Sequence, residues 1–218
     1  MELIEAIKER QSIRQFNDEK ISDQAASRLE ELIKEYNQTA GLHIKLVTDE
    51  PKAFGKSIMA KYGSFENVKN YLVIAGPKAA DLAERCGYYG EKLVLEAQTL
   101  GLRSCWVAGT YKKSLTKSYL EEGDQMLAVI ALGYSDASGR KHRRRSYQDV
   151  TKTTGEVPQW FKDGVEAALL APTAINQQKF LFIYDNGKIS AKALMRPNSK
   201  IDLGIVKCHF EIASGHKF

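Results

Sequence analysis

Between two apolar runs, Tyr71-Leu72-Val73-Ile74-Ala75 and Met126 to Leu132, lies the longest helical pattern in the chain. It covers residues 79–100, with Leu93, Val94, Ala97 and Leu100 on one face and Gly101 just past the last turn. Short runs that are apolar at successive positions read as buried strands, and an amphipathic helix beside them supplies the cover they need. The pattern therefore predicts a mixed α+β protein. Composition agrees, since 43% apolar and 27% charged residues, with 5 Pro against 16 Gly, exclude wholesale disorder and a fibrous repeat. The length of 218 residues suits one substantial domain or two small halves sharing a core.

No apolar run approaches the roughly 18 residues that cross a bilayer, and the opening MELIEAIKER mixes charged with apolar residues where a signal peptide would be apolar. A cytoplasmic protein is expected. Three cysteines, Cys86, Cys105 and Cys208, stand far apart with no C-x-x-C pair, which argues for reduced buried thiols and against a disulfide framework or a zinc set. His43, His142, His209 and His216 show no metal-ligand spacing, so no metal is predicted.

Around the central pattern, residues 2–9 read as a short helix. Ser22 and Asp23 cap a second one that carries Leu29, Leu32, Ile33 and Tyr36 on one face up to Gly41, and His43 to Val47 reads as a strand. Residues 51–70 are ambiguous, because Phe54, Ile58, Met59 and Tyr62 have helical spacing while Gly55 and Gly63 weaken it. Residues 140–158 read as a loop. From Gln159 the plan repeats as a helix to Leu170, a polar turn, a strand Phe180 to Tyr184 and a final helix around Leu203 to Ala213. An offset of 136 positions lays Ile44 to Asp49 on Phe180 to Asp185, and one of 115 lays Lys92 on Lys207 and Glu96 on Glu211. These echoes suggest two pseudo-symmetric halves in one body: residues 1–150, and a shorter 151–218.

Three segments could carry chemistry. If Arg10-Gln11-Ser12-Ile13-Arg14 is extended, Arg10, Ser12 and Arg14 point one way over about 13 Å, the reach from a phosphate to the far end of a flavin. The same residues could instead serve the carboxyl end of the first helix. Gly101 to Gly109, with Leu102, Ser104, Cys105 and Trp106, is a helix stop followed by a stiff apolar run that ends in small residues. It could let backbone amides approach a flat ligand, or be an interior strand. Ala171-Pro172-Thr173-Ala174-Ile175-Asn176-Gln177-Gln178 offers hydroxyl and amide groups for a nucleotide-like cofactor, or for the turn's own backbone. Net charge is +5, and much of it lies in Arg140-Lys141-His142-Arg143-Arg144-Arg145.

Taken together, the R-x-S-x-R start, the G-L-x-S-C-W segment after a long helix, the L-G-Y strand end ahead of basic residues and the APTAINQQ turn resemble the FMN-dependent nitroreductase family. The turn comes last here, whereas in the common family it follows the R-x-S-x-R start. The chain is in this respect similar to the TM-type nitroreductase branch. The resemblance implies a mainly antiparallel central sheet flanked by helices, and FMN as cofactor. By matching position, Arg10, Gln11, Ser12 and Arg14 would hold the phosphate and pyrimidine edge, and Val107, Ala108 and Gly109 would lie along the ring. Lys141, Arg143 and Arg145 would close on the phosphate, while Pro172, Thr173 and Asn176 would come from an opposite wall. Lys179 and Phe180 depart from the family's proline and tryptophan, so the substrate side need not match.

The resemblance further implies hydride transfer from NAD(P)H through flavin N5 to a nitroaromatic, quinone or similar small electron acceptor, with no catalytic side chain required. A duplicated chain would form both walls as a monomer containing an internal pseudo-dimer, the alternative being a homodimer. The rival functions are a flavin-binding or redox-sensing protein without efficient turnover, and a nucleic-acid-binding module using residues 140–145. The basic run lacks the interleaved aromatics and recognition helix of a dedicated nucleic-acid binder. Neither nucleic acid nor membrane is an expected partner.

Overall fold

Strands β2 (Asn70–Pro77) and β4 (Asp124–Gly133) are the two apolar runs, paired antiparallel with Val73 opposite Val129. Both are buried along most of their length because they are the inner strands of a four-stranded sheet ordered β1-β2-β4-β3. The outer strands are β1 (Lys45–Val47), two residues shorter than expected at its start, and β3 (Arg103–Val107). Every pairing in this sheet is antiparallel. The computed structural model describes residues 1–54, 64–139 and 143–218. Ile58, Met59, Tyr62 and the two glycines of the ambiguous 51–70 stretch lie outside them, as do Arg140, Lys141 and His142.

Contacts divide the chain into two units. One, the four-stranded unit, comprises Arg10–Leu82 and Leu93–Arg140; the other, the three-stranded unit, comprises Met1–Glu9, Ala83–Lys92 and Lys141–Phe218. In the four-stranded unit, Phe16, Phe54, Tyr71, Val73, Tyr111, Val129 and Ala131 form one buried cluster. Helix α2 (Asp23–Ala40) belongs here and has the ends its sequence predicts. The Ser22 hydroxyl accepts the Ala25 N–H at 3.2 Å, and Gly41 takes the left-handed conformation, φ 56°, that closes the helix. The Asn37 side chain bonds both the N–H and the carbonyl of Ile44 and so fixes the chain as it enters β1. A one-turn helix, α4 (Lys113–Thr116), follows β3.

The three-stranded unit has the order β5-β6-β7, from β5 (Thr151–Thr154), β6 (Phe180–Asp185) and β7 (Lys188–Ala193). Its β5–β6 pair is parallel and its β6–β7 pair antiparallel. Sequence reading placed β5 in a loop and did not recognise β7. Both are outer strands: β5 is polar and mostly exposed, and β7 alternates exposed Lys188, Ser190 and Lys192 with half-buried Ile189, Ala191 and Ala193, so neither carries a continuous apolar run. Helices α1 (Leu3–Glu9), α5 (Gln159–Ala168) and α6 (Ser199–Ser214) complete the unit with residues 83–92 of α3 (Leu82–Thr99). Its core is aromatic: Phe182 stacks on Phe210 with centroids 5.0 Å apart, and Phe161 meets Phe210 at 5.6 Å. The whole is the expected α+β architecture.

Helices α3 and α6 cross at glycines. A Cβ on Gly87 would collide with the Ile201 carbonyl, and one on Gly204 with the Glu84 carbonyl, so only glycine permits this approach. The contact is reciprocal under an offset of 117 residues, from 84 to 201 and from 87 to 204. The offset of 115 that aligns Lys92 with Lys207 is therefore not the register in which the helices meet. Backbone proximity at the two glycines sets that register.

Candidate functional site

After α1 stops at Glu9 the chain runs extended along β3, in a parallel bridge between Ser12 and Ser104 with the Ile13 N–H on the Ser104 carbonyl at 2.9 Å. Ile13 and Phe16 go into the core, which anchors the segment and fixes which side each neighbour takes. Arg10 is buried at 6% exposure, Ser12 is half-buried, and Gln11 and Arg14 are exposed. The Arg14 guanidinium lies 5.8 Å from the Phe65 ring centroid.

The Cys105 thiol on β3 ties these residues together. Burial pushes its pKa up, against the opposing pull of Arg14, Arg10 and the Ser12 hydroxyl. Two guanidinium groups and a hydroxyl thus act on one point of the strand. A buried thiol held protonated is inert, so it contributes packing and not nucleophilic chemistry.

Gln11 is engaged with the loop that leaves β4. Its Oε1 accepts the Gly139 N–H at 2.6 Å, and a Cβ at position 139 would crowd the Gln11 side chain. Ser135 donates to the Gln15 carbonyl at 2.5 Å and accepts the Ala137 N–H at 3.1 Å. The loop leaving β4 is fastened to the 10–15 segment at both points. At the end of β3 Val107 is buried in the core cluster, while Ala108 and Gly109 are exposed and a Cβ on Gly109 would meet nothing within 4 Å. Space for a planar ligand therefore exists at Ala108 and Gly109, and Val107 can offer it only backbone.

In the three-stranded unit the APTAINQQ segment is a short 3₁₀ turn, Ala174–Asn176, with three residues at positive φ: Ile175 (46°), Asn176 (54°) and Gln178 (46°). Such angles are strained for side chains other than glycine, above all for a β-branched one, and persist where surrounding bonds over-determine the backbone. Those bonds are present. Asp202 of α6 accepts the Ala174 N–H at 2.9 Å and the Gln177 amide at 2.7 Å, and the Thr173 hydroxyl accepts the Gln178 N–H at 3.1 Å. Ile175 is left 97% exposed.

The turn also holds the basic segment. Asn176 Nδ2 and Gln178 Nε2 each donate to the Arg143 carbonyl at 2.9 Å, and Gln178 Oε1 accepts the Arg145 N–H at 2.9 Å. Beyond Arg145, Ser146 and Asp149 form a reciprocal capping box that ends the extended stretch. The Ser146 N–H and hydroxyl, with Arg145 nearby, keep the Asp149 carboxyl below its usual range. Arg143 and Arg144 are exposed and Arg145 half-buried. Pro172, Thr173 and Asn176 are half-buried within the turn, and Lys141 lies outside the described residues.

The structure thus sets Arg10, Ser12 and Arg14 on the segment that runs along β3 in one unit, and Arg143, Arg145, Thr173 and Asn176 around one turn in the other. Gln178 and Asp202 were missed as organisers of that turn, because the partners that join it to other segments lie 25–35 residues away and leave no local pattern. Among the described residues, no helix is long and apolar enough to cross a membrane, and no group of three or more His, Cys, Asp and Glu residues could hold a metal ion.

A family model described as "Putative TM nitroreductase" matches residues 2–214. The chain belongs to that family. A "putative nitroreductase" from Thermotoga maritima MSB8 matches the fold with a TM-score of 0.70 at 22% identity, over 98% of this chain and 83% of that one. A nitroreductase-named protein from Desulfovibrio desulfuricans, in complex with FMN, matches 69% of this chain and 95% of its own at TM-score 0.54 and 18% identity. An FMN-dependent nitroreductase from Clostridium difficile R20291 matches 66% and 92% at TM-score 0.50 and 20% identity. No curated protein matches. At these identities the likenesses concern the fold. The residues of the TM nitroreductase chain also suit a flavin nucleotide: guanidinium groups match phosphate, and the open backbone at Gly109 leaves room for a ring.

Proposed function

We propose that the chain is an FMN-dependent oxidoreductase that passes hydride from NAD(P)H to a nitroaromatic, a quinone or a similar electron-poor acceptor. Family membership supports the oxidoreductase role, and the Desulfovibrio relative in complex with FMN supports the cofactor by analogy. The observation that carries the reading is the Arg10–Arg14 segment running along β3, bridged to it at Ser12 and Ser104, with the exposed Ala108 and Gly109 following that strand.

In this reading FMN, when bound, supplies the hydride-accepting and hydride-donating chemistry. Arg14, exposed and steadied by the Phe65 ring, meets the negative charge that reduction brings to the pyrimidine edge. Arg10 and Ser12 bind the same ligand from the buried end of the segment. The backbone N–H groups of Ala108 and Gly109 orient the ring. Arg143 and Arg145 neutralise phosphate, with Thr173 and Asn176 as further contacts to be tested one by one.

The experiment is spectroscopic. Purified protein is expected to be yellow or to become so on FMN addition, to bleach with NADH or NADPH under anaerobic conditions, and to recover colour with a nitroaromatic. Bound flavin that no nicotinamide bleaches would leave a flavin-binding protein without turnover, and protein that ignores FMN would reject the reading.

A further inference from the structure

The proposed function assigns Arg143 and Arg145 to a phosphate but leaves open what aims two flexible side chains at one anion. Gln178 answers this. Its primary amide stands beside the basic segment as a neighbouring strand's peptide would, donating Nε2 to the Arg143 carbonyl and accepting the Arg145 N–H at Oε1, each at 2.9 Å. In an extended chain the carbonyl of one residue and the N–H two residues later point the same way, so a single amide that satisfies both holds the three residues extended. Residues 143 and 145 then share one face, and 144 takes the other.

The side chain is fully committed to this task. Its second Nε2 proton goes to Asn176 Oδ1 at 3.0 Å, while Asn176 itself donates to the same Arg143 carbonyl. Gln178 is 5% exposed, and its φ of 46° is unfavourable for glutamine. A buried amide with both protons donated and its oxygen accepting, kept in a strained backbone, is a device for holding another segment.

We propose that Gln178 is a positioning residue that sets Arg143 and Arg145 on one face to receive the phosphate of the cofactor. It acts through the basic segment, without contact to the ligand, and the inference rests on the FMN reading above. Its signature is selectivity between FMN and riboflavin, which share a ring and differ in the phosphate.

The test measures dissociation constants of FMN and riboflavin by fluorescence quenching for the wild-type chain, Gln178→Ala and Gln178→Glu. A glutamate keeps the acceptor for Arg145 but cannot donate to Arg143. Wild type should prefer FMN, and both variants should lose about tenfold or more of that preference with riboflavin affinity little changed. An unchanged ratio in a folded variant, or equal loss of both ligands, would overturn the proposal by reducing Gln178 to a turn residue. If both Gln178 variants fail to fold, Arg143→Gln/Arg145→Gln decides, because those side chains take no part in the turn's bonds. Retained preference for FMN in that double variant overturns the inference. A wild-type chain that binds neither flavin would instead fail the functional reading, and one that binds both equally would fail this inference alone.

Discussion

Gly87 and Gly204 lie at reciprocal positions where α3 and α6 cross, each leaving room for the other helix's carbonyl oxygen. The atoms in the way are backbone, which cannot swing aside as a side chain can. Gly204→Ala should therefore destabilise the protein by about 3 kcal/mol, read as a lowered midpoint of chemical denaturation. Gly109→Ala, where a Cβ meets open space, is the control that should leave the midpoint nearly unchanged. Equal midpoints for the two variants would refute the close crossing.

The same crossing carries a fully buried polar pair. His209 Nε2 lies 2.8 Å from Glu91 Oε1, and Nδ1 faces the Ala167 carbonyl at 3.1 Å. A carbonyl only accepts, so Nδ1 carries a proton. Glu91→Ala would strand the imidazole without its carboxyl partner, and a loss of about 3–5 kcal/mol is expected in denaturation experiments. A loss below about 1 kcal/mol would mean that the pair contributes no more than an exposed one.

Asp202 gives the turn a pH dependence of known sign. Burial raises its pKa above the usual carboxylate value, while the Gln177 amide and the Ala174 N–H pull the other way. The folded state then holds the proton to higher pH than the unfolded state does. Stability from this group is fully present below the unfolded value, about 3.9, and is lost as pH rises through the raised folded value. Thermal midpoints of wild type and Asp202→Asn, followed upward from pH 4, should diverge in that window and run parallel above it. Parallel curves throughout would show that Asp202 ionises as freely in the folded chain as in the unfolded one.

Arg14 and Gln11 should separate in function although they share a motif. Arg14→Ala is expected to weaken FMN binding by about tenfold with the fold intact, since its guanidinium is exposed and charged. Gln11→Ala should act chiefly through the loop at Gly139, lowering the protection of that amide from hydrogen exchange. Reversed effects would reassign the two.

Much of the fold was legible because its inner strands and its helices bury what they display. Tyr71 to Ala75, Met126 to Leu132, the Ser22 cap and the Gly41 stop all read directly from residue type. The outer strands β5 and β7 did not, since Thr151–Thr154 is polar and the apolar positions of Lys188–Ala193 are mostly small alanines, so the strand character of both comes from pairing with β6. The helix stop before residues 10–14 left two courses open, and the bridge from Ser12 to Ser104 decides for the one along β3. The work of Gln178 and Asp202 was not, because a buried amide and a buried carboxyl take their meaning from partners that only folding supplies.

The most direct test of the flavin reading is an anaerobic titration of the FMN-loaded 218-residue chain with NADPH and then NADH, followed in the visible flavin band. The expected result is stoichiometric bleaching by at least one of them and return of the band on adding a nitroaromatic or quinone. A chain that takes up no FMN, or whose bound FMN stays oxidised with both nicotinamides, would contradict it.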